Sequence, residues 1–178
     1  MKTGQKGYTL LELVIAVGIM ALVSVAAGAA IFQNARSNSI DASHMTRARS
    51  VENAGDWISH DSQMALVITT ANLTPPELLT LNWTENVSST SPVHHTVIYS
   101  VENVTGGVGV LTRTHTTDAG LNEQTMIARN IYFNPPDIMN SSNAGYDNPV
   151  LTVTLTSLVD GLFETKQYII RHRANTAG

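Results

Sequence analysis

The chain has 178 residues, no cysteine, a formal net charge of -4 and a charged fraction of only 13%. The absence of cysteine excludes a disulfide framework and thiol catalysis. The slight negative charge, without a basic block, gives a nucleic-acid partner no electrostatic support, so none is expected.

The N-terminal segment combines a short basic leader with a long apolar run. Lys2 and Lys6 precede Gly7, and the chain is almost wholly apolar over 8–32. The stretch 10–31 would form ~33 Å of helix at ~1.5 Å per residue, which is enough to cross a bilayer core. The leader lysines are expected to stay in the cytoplasm, with the rest of the chain outside.

Glu12 is the one acidic side chain in this apolar run. A carboxylate in a spanning helix costs several kcal/mol and needs a partner. If the chain is cut between Gly7 and Tyr8, the new Tyr8 amine lies one helical turn from Glu12. That amine can pair with Glu12 of its own helix or with Glu12 of a neighbouring subunit. At about 4 Å and an effective dielectric near 20, such a pair is worth ~4 kcal/mol, which would favour docking and set the axial register.

The residues around this cut resemble the prepilin cleavage and methylation motif of type IV pilins and type II secretion pseudopilins. The motif reads Gly7-Tyr8-Thr9-Leu10-Leu11-Glu12-Leu13-Val14-Ile15-Ala16. The resemblance implies that a prepilin peptidase cuts after Gly7 and methylates the Tyr8 amine, which keeps its charge. Tyr8 stands where that family usually has Phe or Met.

The resemblance also implies a structural subunit rather than an enzyme, with no cofactor and no metal. Its partners would be other pilin or pseudopilin subunits in a helical filament and an inner-membrane assembly platform. It would span the inner membrane once and then enter a periplasmic or extracellular filament. The missing disulfide pair, and the lack of proline in the membrane segment, favour a minor pilin or pseudopilin.

Other interpretations of the N-terminus and of the chain remain open. The small residues 26–30 resemble a secretory cleavage site, but the apolar run is too long and Glu12 is unexpected in a signal peptide. The segment would also serve as a plain signal anchor. For the whole chain, the alternatives are a membrane-anchored exported binding or adhesion domain and a membrane-anchored enzyme.

Helical periodicity continues beyond the membrane segment, and no proline occurs before Pro75. The pattern predicts one helix from about Thr9 to the mid-60s. Gly18 and Gly28 would either loosen its membrane part or allow close helix packing. Five charged side chains are expected to face solvent or neighbouring subunits: Arg36, Arg47, Arg49, Glu52 and Asp56.

The second half of the chain predicts an antiparallel sheet of four to six strands after Thr74-Pro75-Pro76. Gly106-Gly107 and Asp160-Gly161 are the predicted turns, and 140–149 is expected to be a loop. The predicted strands are 77–84, 96–101, 108–116, 125–133, 151–156 and 163–173. The expected fold is therefore α+β and pilin-like, with the second half of the long helix packed on the sheet.

The expected organisation has four parts: a leader (1–7), a transmembrane and filament-core helix (8–32), an amphipathic helix (33–70) and a β-rich domain (71–178).

Few residues of the β-rich half suggest chemistry. His94 and His95 should point to opposite faces of a strand, as surface imidazoles. His60-Asp61-Ser62 carries triad residue types, but triads assemble from residues brought together in space. Two groups of oxygen donors have no recognisable calcium spacing: Asp118, Asn122 and Glu123, and Asp147 with Asn148. The basic cluster 171–173 is expected to be a solvated chain end, and neither catalytic residues nor metal ligands are predicted.

Overall fold

The computed structural model describes residues 9–70, 76–86 and 92–172, without the side chains of residues 38–40. The long helix α1 (Leu10–Met64) comes first, and the strands follow it. This confirms the predicted α+β class, a long N-terminal helix followed by an antiparallel sheet. The strands are β1 (Val67–Thr69), β2 (Glu77–Asn86), β3 (Pro92–Thr105), β4 (Val108–Thr117), β5 (Asn122–Tyr132), β6 (Asn143–Asp147), β7 (Val150–Val159) and β8 (Leu162–Arg171).

The chain divides into two compact units, Met1–Ala42 and Ser43–Gly178, and α1 contributes to both. In the first unit, every residue described over 9–37 is exposed, including Leu13, Met20 and Phe32. Among the described residues, α1 alone is long and apolar enough to cross a membrane, and its apolar stretch is not buried by the protein. So much exposed apolar surface requires a lipid or protein environment.

The sheet is antiparallel throughout, with the order β1-β2-β3-β4-β5-β7-β6. β8 pairs with β7 along its whole length, while β6 pairs with residues 150–154 of β7 on the opposite side. Both predicted turns are confirmed. Asp160 and Gly161 have φ values of 54° and 74°, the left-handed pair that closes a two-residue hairpin between β7 and β8.

The sheet is larger than the sequence predicted. It has eight strands among the described residues, instead of four to six. β6 lies in the segment predicted as a loop, 140–149, because its pairing with β7 outweighs a composition rich in Asn and Gly. The short β1 was also missed; it follows the end of α1 and pairs with β2.

The second half of α1 packs on the sheet through one stripe of buried side chains. Val51, Ala54 and Ile58 have no exposed surface. Arg47 lies on the same stripe one turn earlier, so the prediction that it faces solvent is wrong. It is buried, and its Nη1 donates a hydrogen bond to the carbonyl oxygen of Val159, 3.3 Å away. The sheet contributes fully buried side chains at Leu79, Leu81, Val97, Tyr99, Val101, Leu111, Ile131, Leu151, Val153 and Leu155.

Candidate functional site

The first turn of α1 is closed by a reciprocal contact between Thr9 and Glu12. The Thr9 backbone N–H and hydroxyl each donate to Glu12 Oε2 at 3.0 Å, and the Glu12 N–H donates to the Thr9 hydroxyl at 3.3 Å. This is a capping box, in which two residues three apart satisfy each other's free groups at a helix start. The Thr-x-x-Glu pattern was visible in the sequence, but sequence analysis assigned Glu12 to the Tyr8 amine alone.

The capping box leaves half of the Glu12 carboxylate available. Both hydrogen bonds go to Oε2, whereas Oε1 accepts none from the described part of the chain. Gly7 and Tyr8 lie outside the described residues, so their predicted roles remain predictions. Glu12 lies on an exposed first turn, where its Oε1 can accept a hydrogen bond from a cationic group of the same chain or another.

The two membrane-segment glycines interrupt neither the helix nor its packing within the chain. α1 runs through Gly18 and Gly28 without a break. A Cβ added at either position would meet no atom within 4 Å. Both positions are therefore open to contacts from another molecule.

A polar cluster joins α1 to the centre of the sheet. Asp61 accepts hydrogen bonds from Tyr99 Oη at 2.6 Å, from Arg113 Nε at 2.7 Å and from Arg113 Nη2 at 3.2 Å. Burial and the Asp61 charge raise the pKa of Tyr99 far above its usual value, so the phenol stays a donor. Asp61 is thus occupied by a cation and a phenol while His60 is exposed, which rules out the His60-Asp61-Ser62 triad.

Three rings stack where β2, β3 and β4 lie side by side. Trp83 lies 5.0 Å from His95 and 5.6 Å from His115, measured between ring centroids. His95 Nδ1 and His115 Nε2 are 3.0 Å apart and share a hydrogen bond. Burial, followed by the charges of Arg113 and His95, lowers the pKa of His115.

His94 points the other way and contacts the hydroxyl of Thr84 at 2.9 Å, so the predicted opposite orientation of the two histidines is confirmed. The expectation of a surface imidazole is wrong for His95, whose side chain is only 12% exposed. The alternation of side chains along a strand was enough to predict that the two histidines lie on opposite faces of the sheet. The sequence could not show that Trp83 covers His95, because that contact depends on which strands pair.

Two of the five oxygen donors considered for calcium accept hydrogen bonds within the protein. Asp118 Oδ1 accepts the backbone N–H of His94 at 3.0 Å, and Asn148 Oδ1 accepts the Tyr146 hydroxyl at 3.1 Å. Within the described residues, no three His, Asp or Glu side chains are grouped so that they could hold a metal ion.

The basic cluster at the end of β8 is not uniformly solvated. His172 is buried, in contrast to the prediction, and its ring contacts the carbonyl oxygen of Ala65 and the Tyr146 hydroxyl. Arg171 is exposed, and Arg173 lies outside the described residues. His172 therefore ties the last strand to the end of α1.

Comparison with known proteins finds one match, and it falls on the N-terminal segment. Residues 2–28 match the family model of the prokaryotic N-terminal methylation motif. Searches of curated proteins and of solved structures return no match. The matched range contains Gly7, Tyr8, Thr9 and Glu12, so the chain carries the type IV pilin and pseudopilin signature, which belongs to structural subunits.

Proposed function

We propose that this chain is a minor pilin or pseudopilin, processed by a prepilin peptidase and assembled through α1 into a filament. The observation that carries the proposal is the methylation motif over residues 2–28, continuous with an apolar helix that the chain itself leaves exposed. The motif implies peptidase processing and packing with other pilin-type subunits. The apolar helix fits membrane anchoring before assembly.

The proposal assigns each part of the chain a stage. Residues 1–7 are the leader, removed between Gly7 and Tyr8, and the Tyr8 amine is methylated. Residues 8–32 first anchor the chain in the inner membrane and then form the filament core. Residues 33–64 continue the helix into the β-rich domain, which begins at β1 and lies in the periplasm or outside the cell. The filament belongs to a type IV pilus, a type II secretion system or a competence system.

Glu12 has two separate roles in this proposal. Its Oε2 caps α1 through Thr9, and its Oε1 receives the methylated Tyr8 amine of an incoming subunit. A salt bridge at about 4 Å and an effective dielectric near 20 contributes ~4 kcal/mol, which is comparable to the cost of placing the carboxylate in lipid. Docking is thereby favoured at one axial position, where the two charges meet.

Processing is tested by co-expressing the chain with a prepilin peptidase and reading the mature N-terminus by mass spectrometry. The expected terminus is N-methyl-Tyr8. A terminus near Ala30, or an intact Met1, would show that the segment is a secretory signal or a plain anchor instead. A Gly7→Leu variant, which replaces the small residue at the cut, is expected to stay unprocessed.

Three variants separate the two roles of Glu12. Glu12→Ala removes the cap and the charge, Glu12→Gln removes only the charge, and Thr9→Val removes only the hydroxyl of the cap. We expect all three to be cleaved, but only Thr9→Val to enter filaments at the parental level, as measured by immunoblots of sheared filaments. Normal incorporation of Glu12→Gln would show that the charge does not direct docking.

A further inference from the structure

The connection between β5 and β6 carries an exposed apolar tip. Ile138 and Met139 are 85% and 90% exposed, the highest values for large apolar side chains in the described part of the second unit. Single exposed apolar side chains are common on protein surfaces, but two adjacent ones at a loop tip form a protruding apolar patch. We call this pair the knob.

Hydrogen bonds beneath the knob fix its conformation. Asp137 accepts from the Asn140 backbone N–H at 3.2 Å, from the Asn140 side-chain amide at 3.1 and 3.2 Å, and from the Tyr132 hydroxyl at 3.1 Å. The Asn134 N–H donates to the Ser141 hydroxyl at 2.9 Å. A loop that is ordered before binding loses less conformational entropy when a partner covers it.

A groove of about 320 Å³ lies elsewhere on the same domain, between α1 and β5. Ser50 and Asn53 line its helix side, and Met126, which is 50% exposed, lines its strand side. Arg49 and Arg129 also line it, and neither forms an ion pair with any described residue. We call this site the α1–β5 groove; it offers an apolar wall and two positive charges.

The knob carries the complementary charge at its base. Hydrogen bonds from Asn140 and Tyr132 lower the pKa of Asp137, so its carboxylate is ionised at neutral pH. An apolar tip above a carboxylate therefore matches a groove that exposes Met126 on its strand side and has two arginines on its lining. Complementary charges of this kind select the partner and fix its register.

We propose that the knob of one subunit docks in the α1–β5 groove of a second copy of this chain, with Asp137 facing Arg49 and Arg129. The inference rests on the pseudopilin form of the proposed function, in which copies of this chain lie side by side in one filament. The knob and the groove are different surfaces of one chain, so each docked pair leaves a free groove and a free knob. Such a contact repeats along an open polymer, as a filament requires.

The absence of native cysteine allows a direct test by disulfide crosslinking. Met139→Cys and Ser50→Cys are placed in one full-length chain, expressed in cells that assemble it, and oxidised. A disulfide forms only when the two Cβ atoms approach within about 4.5 Å, so crosslinking reports docking. We expect a ladder of dimers and higher species on non-reducing gels, and no ladder from Ser50→Cys alone.

Control variants distinguish specific docking of the knob from random collision between subunits. Met139→Cys combined with Leu121→Cys, at another partly exposed apolar site, should give no ladder; an equal ladder would show random collision and overturn the inference. The double change Ile138→Ala and Met139→Ala should reduce filament incorporation about tenfold, the factor that corresponds to about 1.4 kcal/mol. Ile169→Ala, at an exposed apolar position of β8, should leave incorporation unchanged.

Failure of this inference differs from failure of the proposed function. If the parental chain is processed at Tyr8 and incorporated, yet the Met139→Cys and Ser50→Cys chain gives no ladder, the contact is wrong while the function stands. If the parental chain is not processed or not incorporated, the proposed function is wrong and the contact between copies falls with it.

Discussion

The Asp61–Arg113 ion pair is the link between α1 and the sheet that can be tested most sharply. The Asp61 side chain is 1% exposed and that of Arg113 11% exposed. Removing one partner of a buried pair typically destabilises a protein by ~3–5 kcal/mol, because the remaining charge is left without compensation. We expect Arg113→Ala to reach this range, since among the described residues Asp61 would retain only the Tyr99 hydroxyl as a donor.

Thermal unfolding of the full-length chain in detergent micelles, followed by circular dichroism, measures the effect. For a domain of this size, a loss of about 1 kcal/mol in the free energy of unfolding lowers Tm by roughly 2–4 °C. Arg113→Ala should therefore lower Tm by about 10 °C. The double change Asp61→Leu and Arg113→Met removes both charges and keeps apolar bulk. It should be milder than Arg113→Ala, because no charge stays buried alone.

An exposed ion pair supplies the matched control. Lys166 Nζ lies 3.0 Å from Glu52 Oε1, but both side chains are about half exposed. Lys166→Ala should therefore lower Tm far less than Arg113→Ala, because solvent screens an exposed pair. The reasoning is refuted if Arg113→Ala lowers Tm by no more than Lys166→Ala, or if the double change is more damaging than Arg113→Ala.

The remaining predictions concern the close approach of Gly55 to Tyr168 and the half-buried imidazole of His115. Gly55→Ala should destabilise the domain by ~1–3 kcal/mol, because its Cβ would overlap the ring of Tyr168, whereas Gly18→Ala should leave Tm unchanged. Equal effects in the same melting assay would contradict the close contact. The pKa of His115 is lowered in the folded state, so the unfolded chain takes up the proton first as pH falls below about 6.5. The free energy of unfolding should therefore decline as the pH falls from about 6.5 to the folded pKa of His115. His115→Gln should reduce the loss of Tm between about pH 7.5 and about pH 5. Parallel losses of Tm in the variant and the parental chain would show that His115 does not cause the decline.

Local signals predicted much of the fold. The extent of α1 followed from sustained helical periodicity and the absence of proline, and the β7–β8 hairpin followed from alternation around Asp160-Gly161. β1 and β6 were not predictable in this way, since β1 has only three residues and both are held by partner strands. The methylation motif was recognisable in the sequence because its residues are contiguous, and residues 2–28 match its family model.

The burial of two polar residues of α1 could be predicted from the sequence, but their partners could not. Arg47 and Asp61 occupy the same helical stripe as Val51 and Ile58, so a strict count along the helix indicates that they are buried. The partner of Asp61 could not be found this way, because Arg113 lies 52 residues further along the chain. The pairing depends on the strand register that places Arg113 beside Tyr99.

The contacts along the second half of α1 also determine how the domain bears mechanical load. They begin where the Ser43 hydroxyl bonds Asp160 and end where His172 meets Ala65, a distance of ~33 Å along the helix. Tension along the helix axis therefore shears all these contacts together instead of peeling them one by one. Because the chain has no cysteine, no disulfide supplements these contacts, and a force along the helix would act on noncovalent contacts alone.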